Sequence, residues 1–354
     1  MFKPETLLAR RLKDLQPYRS ERERYSGSAR PVYFDNGENP YTEPLSGRYY
    51  DNTYATLYEQ IAALKGVNPN QIIVGVGSDG VIDMSMRAFT EPNESNLIIH
   101  TPTFGMYKYY AALNGVAVRA IPMTADYQLD SPAMLDAVDA HTRLLFLCSP
   151  NNPTGNALDP RDIELLIRSF AGIVVLDEAY IDFVPERSFV PRLAEFPNLL
   201  ITHTFSKAWG LAGLRVGIGI GSPELIGLMQ RVRPPYNVSS LSVEALLAAI
   251  AQPQRMQEQV RRMLANRMRL QEYLQASPLF SRVWPTDTHF VMVESPVADA
   301  LFAKLFEDGI ILRYFERSTE LPSRFRISVG TEAENEKLLA RLQQYAPTLI
   351  AAQP

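Results

Sequence analysis

The sequence predicts an α/β protein: a large domain with a mostly parallel seven-stranded sheet between helices, then a smaller α+β domain. Three observations carry this. From about residue 71 to 220, short apolar runs alternate with amphipathic stretches, the pattern of parallel strands covered on both faces. The first run, QIIVGV, enters a glycine turn and then a helical stretch, GSDGVIDMSMRAF. Near residue 240 the alternation gives way to a long helical stripe and a few isolated strands.

Taken in order, residues 6–15 read as a short amphipathic helix opening a polar arm. Residues 32–40 (VYFDNGENP) read as a short strand entering a Pro/Gly turn. A helix over 53–65 places Leu57, Ile61 and Leu64 on one face and stops at Gly66. Strands follow at 71–76, 96–100, 116–121, 143–149, 172–177, near 199–203 and 215–220. Helices at 104–114, 131–139 and 159–170 lie between them. A helix over 254–277 carries Met256, Val260, Met263, Leu270 and Leu274 as a core stripe. Strands near 281–284, 288–294, 310–313 and 325–329 mix with helices at 297–308 and 331–346. The expected organisation is an arm over 1–30 grouped with the small domain, a large domain over 31–240 and a small domain over 241–354.

Composition narrows the function classes. A net charge of −4 and an ordinary charged fraction of 21% give no nucleic-acid signature. Residues 1–30 hold eight Lys/Arg against four Asp/Glu. The four acids argue against a transit peptide, and no apolar h-region precedes them. No run approaches membrane-spanning length. The single cysteine, Cys148, rules out an internal disulfide and fits a reducing cytoplasm. His100, His141, His203 and His289 are scattered without metal-ligand spacing and read as structural.

The chemistry gathers at the ends of the predicted strands. THTFSKAWGLAGLRVG (202–217) sets Lys207 between the hydroxyls of Thr204 and Ser206 in a small-residue setting, with Arg215 eight residues on. A lysine whose neutral form is favoured condenses with carbonyls. Hydroxyls and a guanidinium beside it suit a phosphate dianion. GVGSDG matches a dinucleotide fingerprint, but no acid ends the next strand. What survives is anion binding at a helix N-terminus, by the backbone of Ser78 and Asp79. Phe104 in TPTFGMY could lie on an aromatic ring, or simply be core. Asn152 in SPNNPTG can donate to a phenolate oxygen. Asp177 ends an apolar run and so needs a partner, for which a protonated pyridine nitrogen is suited. Tyr180 lies three residues on. An anion nest, a ring stacker, an amide, an acid and an amine, all outside the carboxyl ends of strands, describe a site for pyridoxal 5'-phosphate.

The set GSDG, PTFGMY, SPNNPTG, DEAY, TFSKAWGLAGLRVG and FRISVG resembles the fold-type I pyridoxal-phosphate aminotransferases, and within them the histidinol-phosphate aminotransferase family. The resemblance spans nearly the whole chain. It implies that Lys207 joins the cofactor covalently and shuttles the proton, that Asp177 pairs with the ring nitrogen, and that Tyr180 and Asn152 hold its phenolic oxygen. It implies that Phe104 stacks on the ring. Ser78, Asp79, Ser206 and Arg215, with Thr204, would hold the phosphate. Tyr49 would reach that phosphate from a partner subunit, implying a homodimer with shared sites. Arg326 would grip the phosphate of histidinol phosphate in one half-reaction and the carboxylate of glutamate or 2-oxoglutarate in the other, with Arg313 and Tyr18 joining on the phosphate. Asn39 and Glu38 would lie near the substrate. The chain departs from the family at Gly37, Gly80 and Tyr50. Rivals on the same scaffold are aromatic aminotransferases and phosphothreonine decarboxylases; a sensing module without turnover is a rival of another class.

Overall fold

A computed structural model describes residues 2–18, 20–25, 32–42, 47–49, 55–316 and 318–351. Strands β1 (Ile72–Val76), β2 (Asn96–Thr101), β3 (Ala117–Pro122), β4 (Thr142–Cys148), β5 (Ile173–Asp177), β6 (Leu199–Thr204) and β7 (Val216–Ile220) form one sheet. Its order is β1-β7-β6-β5-β4-β2-β3. β7 runs against both of its neighbours, and the pairs among β2 to β6 are parallel.

Successive residues of each strand feed opposite cores, as the two-residue period requires. Val174 and Leu176 of β5 join the cluster beneath α2 (Ala55–Lys65), α6 (Pro160–Ser169) and α8 (Ser240–Ile250). Ile173 and Val175 join the cluster beneath α3 (Gly77–Phe89), α4 (Met106–Leu113) and α7 (Pro223–Met229). All four are fully buried, each contributing about 1.5–3 kcal/mol. A one-residue slip would reverse every such assignment, so the register is fixed on both faces. Helix starts are capped locally. Asp130 accepts from Ala133 N–H at the start of α5 (Ser131–Asp136), and Asp159 accepts from Arg161 N–H ahead of α6.

The smaller layer is an antiparallel sheet ordered β10-β11-β9-β8, from β8 (Arg282–Val283), β9 (Phe290–Glu294), β10 (Arg313–Tyr314) and β11 (Arg324–Ser328). It packs on α9 (Pro253–Ala276), α10 (Ala298–Glu307) and α11 (Glu332–Ala351) through Leu270, Leu274, Leu301, Phe325 and Leu342. Val243, Leu246 and Ile250 of α8 belong to the large core. The chain changes layers along α9.

Two expectations need correction. Residues 6–15 form two 3-10 turns, Pro4–Leu7 and Arg10–Leu12, instead of one amphipathic helix. The arm's backbone is used for docking: Ala9 N–H donates to Ala88 O at 2.8 Å, and Leu8, Ala9 and Leu12 bury beside Met86 and Phe89. This contact seats Leu8, Ala9 and Leu12 against a helix of the large sheet. Residues 32–40 form no strand; Asp35 and Glu38 turn instead toward Arg22, which binds both. The helix expected from residue 53 is described from Ala55. Residues 53 and 54, and Tyr50 and Asp51 of the RYYD string, lie outside the described residues.

Candidate active site

The carboxyl ends of β4, β5 and β6 put Cys148, Asp177 and Thr202 side by side in register. Above them opens a pocket lined by Ser78, Asp79, Phe104, Asn152, Asp177, Tyr180, Thr204, Ser206, Lys207 and Arg215. These are all the cofactor-side residues named from the sequence except Tyr49. The ends of β1, β2, β4, β5 and β6 each deliver one part, as parallel α/β sheets do at their ligand-binding edge.

Lys207 sits in a tight turn after β6. Gly210 N–H bonds back to Lys207 O at 3.0 Å, and Leu211 N–H to Phe205 O at 3.0 Å. Phe205, Ala208 and Trp209 are buried on either side of it. The turn is thus anchored, and the lysine chain alone enters the pocket. Its surface is open to that pocket. Its amine is nevertheless enclosed enough by protein that burial lowers its pKa, with Arg326 lowering it further against Asp79 and Asp177. The ammonium lies 5.5 Å from the Tyr180 ring centre.

Asp177 is 2% exposed and, among the described residues, has no cation paired with it. Burial raises its pKa against three donors: Tyr107 O–H at 2.7 Å, Thr202 O–H at 3.0 Å and Ala179 N–H at 3.1 Å. Tyr180, 5% exposed, packs edge-on to Phe290, and burial raises its phenol pKa. Tyr107, Thr202 and Ala179 were not singled out in the sequence. Tyr107 had a signal, since it lies one helical turn beyond Phe104; Thr202 had none, because strand pairing sets its register with Asp177.

Opposite the acid, β1 turns into α3 at Gly77, whose φ is +69°. The first N–H groups of α3 lack intrahelical partners and point a positive dipole end at the pocket. Arg215 adopts a left-handed φ of +55° and folds back over this turn. Its guanidinium bonds to Asp79 at 3.2 Å, and its carbonyl accepts from Gly77 N–H at 2.8 Å. Gly217 of β7 passes so close that a Cβ there would lie 2.1 Å from Ser78 N. The obstacle is backbone, so it cannot swing aside. Gly217→Ala is expected to cost about 3 kcal/mol or more by overpacking, lowering the thermal unfolding midpoint and weakening phosphate binding together. An unchanged midpoint would contradict this packing.

The substrate-side residues divide. Arg326 on β11 pairs in register with Arg313 on β10. Arg326 reaches across to the Asn152 side-chain oxygen and lies 5.1 Å over the Phe290 ring. Burial lowers its pKa, no acid pairs with it among the described residues, and its Nε is buried without a partner. Arg313 is exposed. His289 stacks on Phe183 at 4.6 Å; burial, then Lys207 and Arg326, push its pKa down to about 4.

Tyr18, Tyr49, Glu38 and Asn39 are not brought to this pocket. Tyr49 stacks on Tyr236 at 4.5 Å, and Tyr18 meets the same ring edge-on at 6.4 Å. Asn39 is exposed and accepts from Tyr41 N–H. Glu38 is held by Arg22 at 2.7 Å, Arg48 at 2.8 Å and Tyr49 N–H at 2.6 Å, so both its oxygens are engaged. Its pKa is lowered because these partners outweigh burial, and that of Asp35 is lowered chiefly by Arg22. Carboxylates with depressed folded-state pKa values stabilise fully above the unfolded range and lose that contribution as pH falls through the folded values. The difference in unfolding midpoint between the natural chain and Glu38→Gln should therefore shrink from neutral pH to about pH 3. A constant difference would show that the cluster is not what Glu38 stabilises.

Residues 44–342 match the family model for aminotransferase class I and II. This chain belongs to that family. Among class I and II aminotransferases, it is 40% identical to the histidinol-phosphate aminotransferase of Parabacteroides distasonis over 326 residues, 92% of this chain and 94% of the relative. It is 37% identical to that of Cytophaga hutchinsonii over 97% of this chain and 99% of the relative. The crystal structure of histidinol-phosphate aminotransferase from Sinorhizobium meliloti in complex with pyridoxal-5'-phosphate superposes with a TM-score of 0.79 at 26% identity, covering 86% of this chain and 84% of that one. The fold of this aminotransferase is accordingly fold-type I.

Proposed function

We propose that this aminotransferase exchanges an amino group between L-histidinol phosphate plus 2-oxoglutarate and imidazole-acetol phosphate plus L-glutamate, in histidine biosynthesis. The cofactor is pyridoxal 5'-phosphate, and the pocket fits it. A buried carboxylate at one end lacks a cation among the described residues, a helix N-terminus with an arginine suits an anion at the other, and an amine with lowered pKa lies between. When bound, the cofactor supplies an aldehyde that stores the amino group and a protonated ring that draws electrons from the substrate carbon.

The chain's residues do the rest. Lys207 anchors the cofactor. Its amine, neutral at lower pH than an ordinary lysine, takes the proton from the substrate carbon and returns it. Asp177 accepts the hydrogen bond from the ring nitrogen. Tyr180 and Asn152 hold the phenolic oxygen, and Phe104 covers the ring face. Ser78, Asp79, Thr204, Ser206 and Arg215 hold the phosphate. Arg326 binds the anionic end of each amino donor, since a guanidinium fork accepts carboxylate and phosphate alike, and Arg313 joins it on the phosphate.

The observation that carries the substrate class is Arg326: a part-buried guanidinium beside the lysine, without an acid among the described residues, asks for an anion from the ligand. The full-length likeness to enzymes that act on histidinol phosphate supports the choice among anions. A homodimer in the cytoplasm fits this reading. Leu15, Tyr18, Val32, Phe34, Tyr41 and Tyr49 are exposed on one N-terminal stretch, an apolar surface that a second copy would cover. No helix among the described residues is long and apolar enough to cross a membrane.

The test is a half-reaction. Histidinol phosphate added to the cofactor-loaded protein should convert the visible absorbance to the ultraviolet band of the aminated cofactor, and 2-oxoglutarate should restore it. Faster conversion by phenylalanine, or carbon dioxide release from phosphothreonine, would overturn the substrate assignment.

A further inference from the structure

Asp177 is bonded asymmetrically. Its Oδ1 accepts from both Thr202 O–H and Ala179 N–H, while among the described residues Oδ2 accepts only from Tyr107 O–H, at 2.7 Å. An ionised carboxylate has about four acceptor sites, two on each oxygen. Oδ1 is filled, so the remaining site is on Oδ2, the oxygen that Tyr107 already holds. We infer that Tyr107 is a positioning residue: it fixes the oxygen of Asp177 that meets the cofactor's ring nitrogen, and its hydrogen bond keeps the shared proton on that nitrogen. The inference rests on the proposed cofactor reading.

The geometry makes this a built feature. Tyr107 is fully buried on α4, which follows the Phe104 turn. Its ring stacks on Phe146 of β4 at 5.0 Å and meets Phe104 edge-on at 5.6 Å. One side chain thus orients both the acid and the residue that covers the cofactor's face. Burial, then Asp177, hold its phenol in the neutral form, so it stays a donor. A donor on a carboxylate favours the ionised form. Removing it makes the acid more basic and draws the proton from the ring nitrogen onto oxygen. A ring with less positive charge attracts electrons less and acidifies the lysine-linked nitrogen less.

Tyr107→Phe keeps the stacking and removes only the hydroxyl. In that variant the pH midpoint of the lysine-bound cofactor's absorbance change should rise by about half a unit. Cofactor affinity and kcat should each fall about tenfold, with KM changed far less. Thr202→Val should do less, because Oδ1 keeps Ala179 N–H. Incorporation of 3-fluorotyrosine at 107, a stronger donor, should move the midpoint down, and it decides the matter should the phenylalanine variant fail to fold. An unshifted midpoint in either Tyr107 variant overturns the inference, even where affinity falls. If the natural protein shows no Lys207-dependent visible band, the cofactor reading falls and the inference with it. A normal band with unmoved variants removes the inference alone.

Discussion

Lys207→Ala should bind its cofactor without a covalent link and lose at least about 10⁴-fold in turnover, since one side chain supplies both the attachment and the proton transfer. The fold should survive. Phe205, Ala208 and Trp209 secure the turn, and the lysine chain itself reaches into an open pocket. Borohydride reduction followed by mass spectrometry gives the direct measurement. The natural chain should gain the mass of the reduced cofactor on the peptide containing residue 207, and the variant should not. Turnover comparable to the natural chain, or labelling at another lysine, would remove Lys207 from the chemistry.

Arg326→Ala should damage both half-reactions, by about 2–5 kcal/mol each, the usual cost of truncating one partner of a buried charge pair. In kcat/KM that is roughly 30- to 4,000-fold. The reason is that one guanidinium serves the phosphate of one donor and the carboxylate of the other. Arg313→Ala should cost less, because Arg313 is exposed and its pairs are screened. Single-turnover rates measured separately with histidinol phosphate and with glutamate are the check. Loss confined to one of them would mean that two different groups receive the two anions.

The alternating layers were readable because burial on both faces leaves uninterrupted apolar strings, as in Leu144 to Cys148 and Ile173 to Leu176. The pocket was readable for the same reason: a polar residue at the end of such a string, like Asp177, stands out. What escaped depends on long-range contact. Residues 6–15 have a helical pattern, yet the docking of Ala9 onto Ala88 decides their form. Tyr107 and Phe104 look alike as apolar members of one turn, and only the approach of α4 to β5 gives the hydroxyl a carboxylate. Glu38 illustrates the limit in the other direction. The family resemblance placed it near the substrate; within one chain, Arg22 and Arg48 hold it from positions the sequence does not link.

The amine is carried by the seven-stranded layer and the anion grip by the four-stranded one. The two are buttoned together where Asp287 N–H meets Gly155 O at 2.8 Å, Ala157 N–H meets Asp287 at 2.7 Å, and Arg326 meets Asn152. A ligand held at both ends is therefore a rivet through the seam between layers. Hydrogen exchange along Phe290–Glu294 and Arg324–Ser328 should slow when such a molecule is present, and a donor lacking the anion should leave those amides as they were.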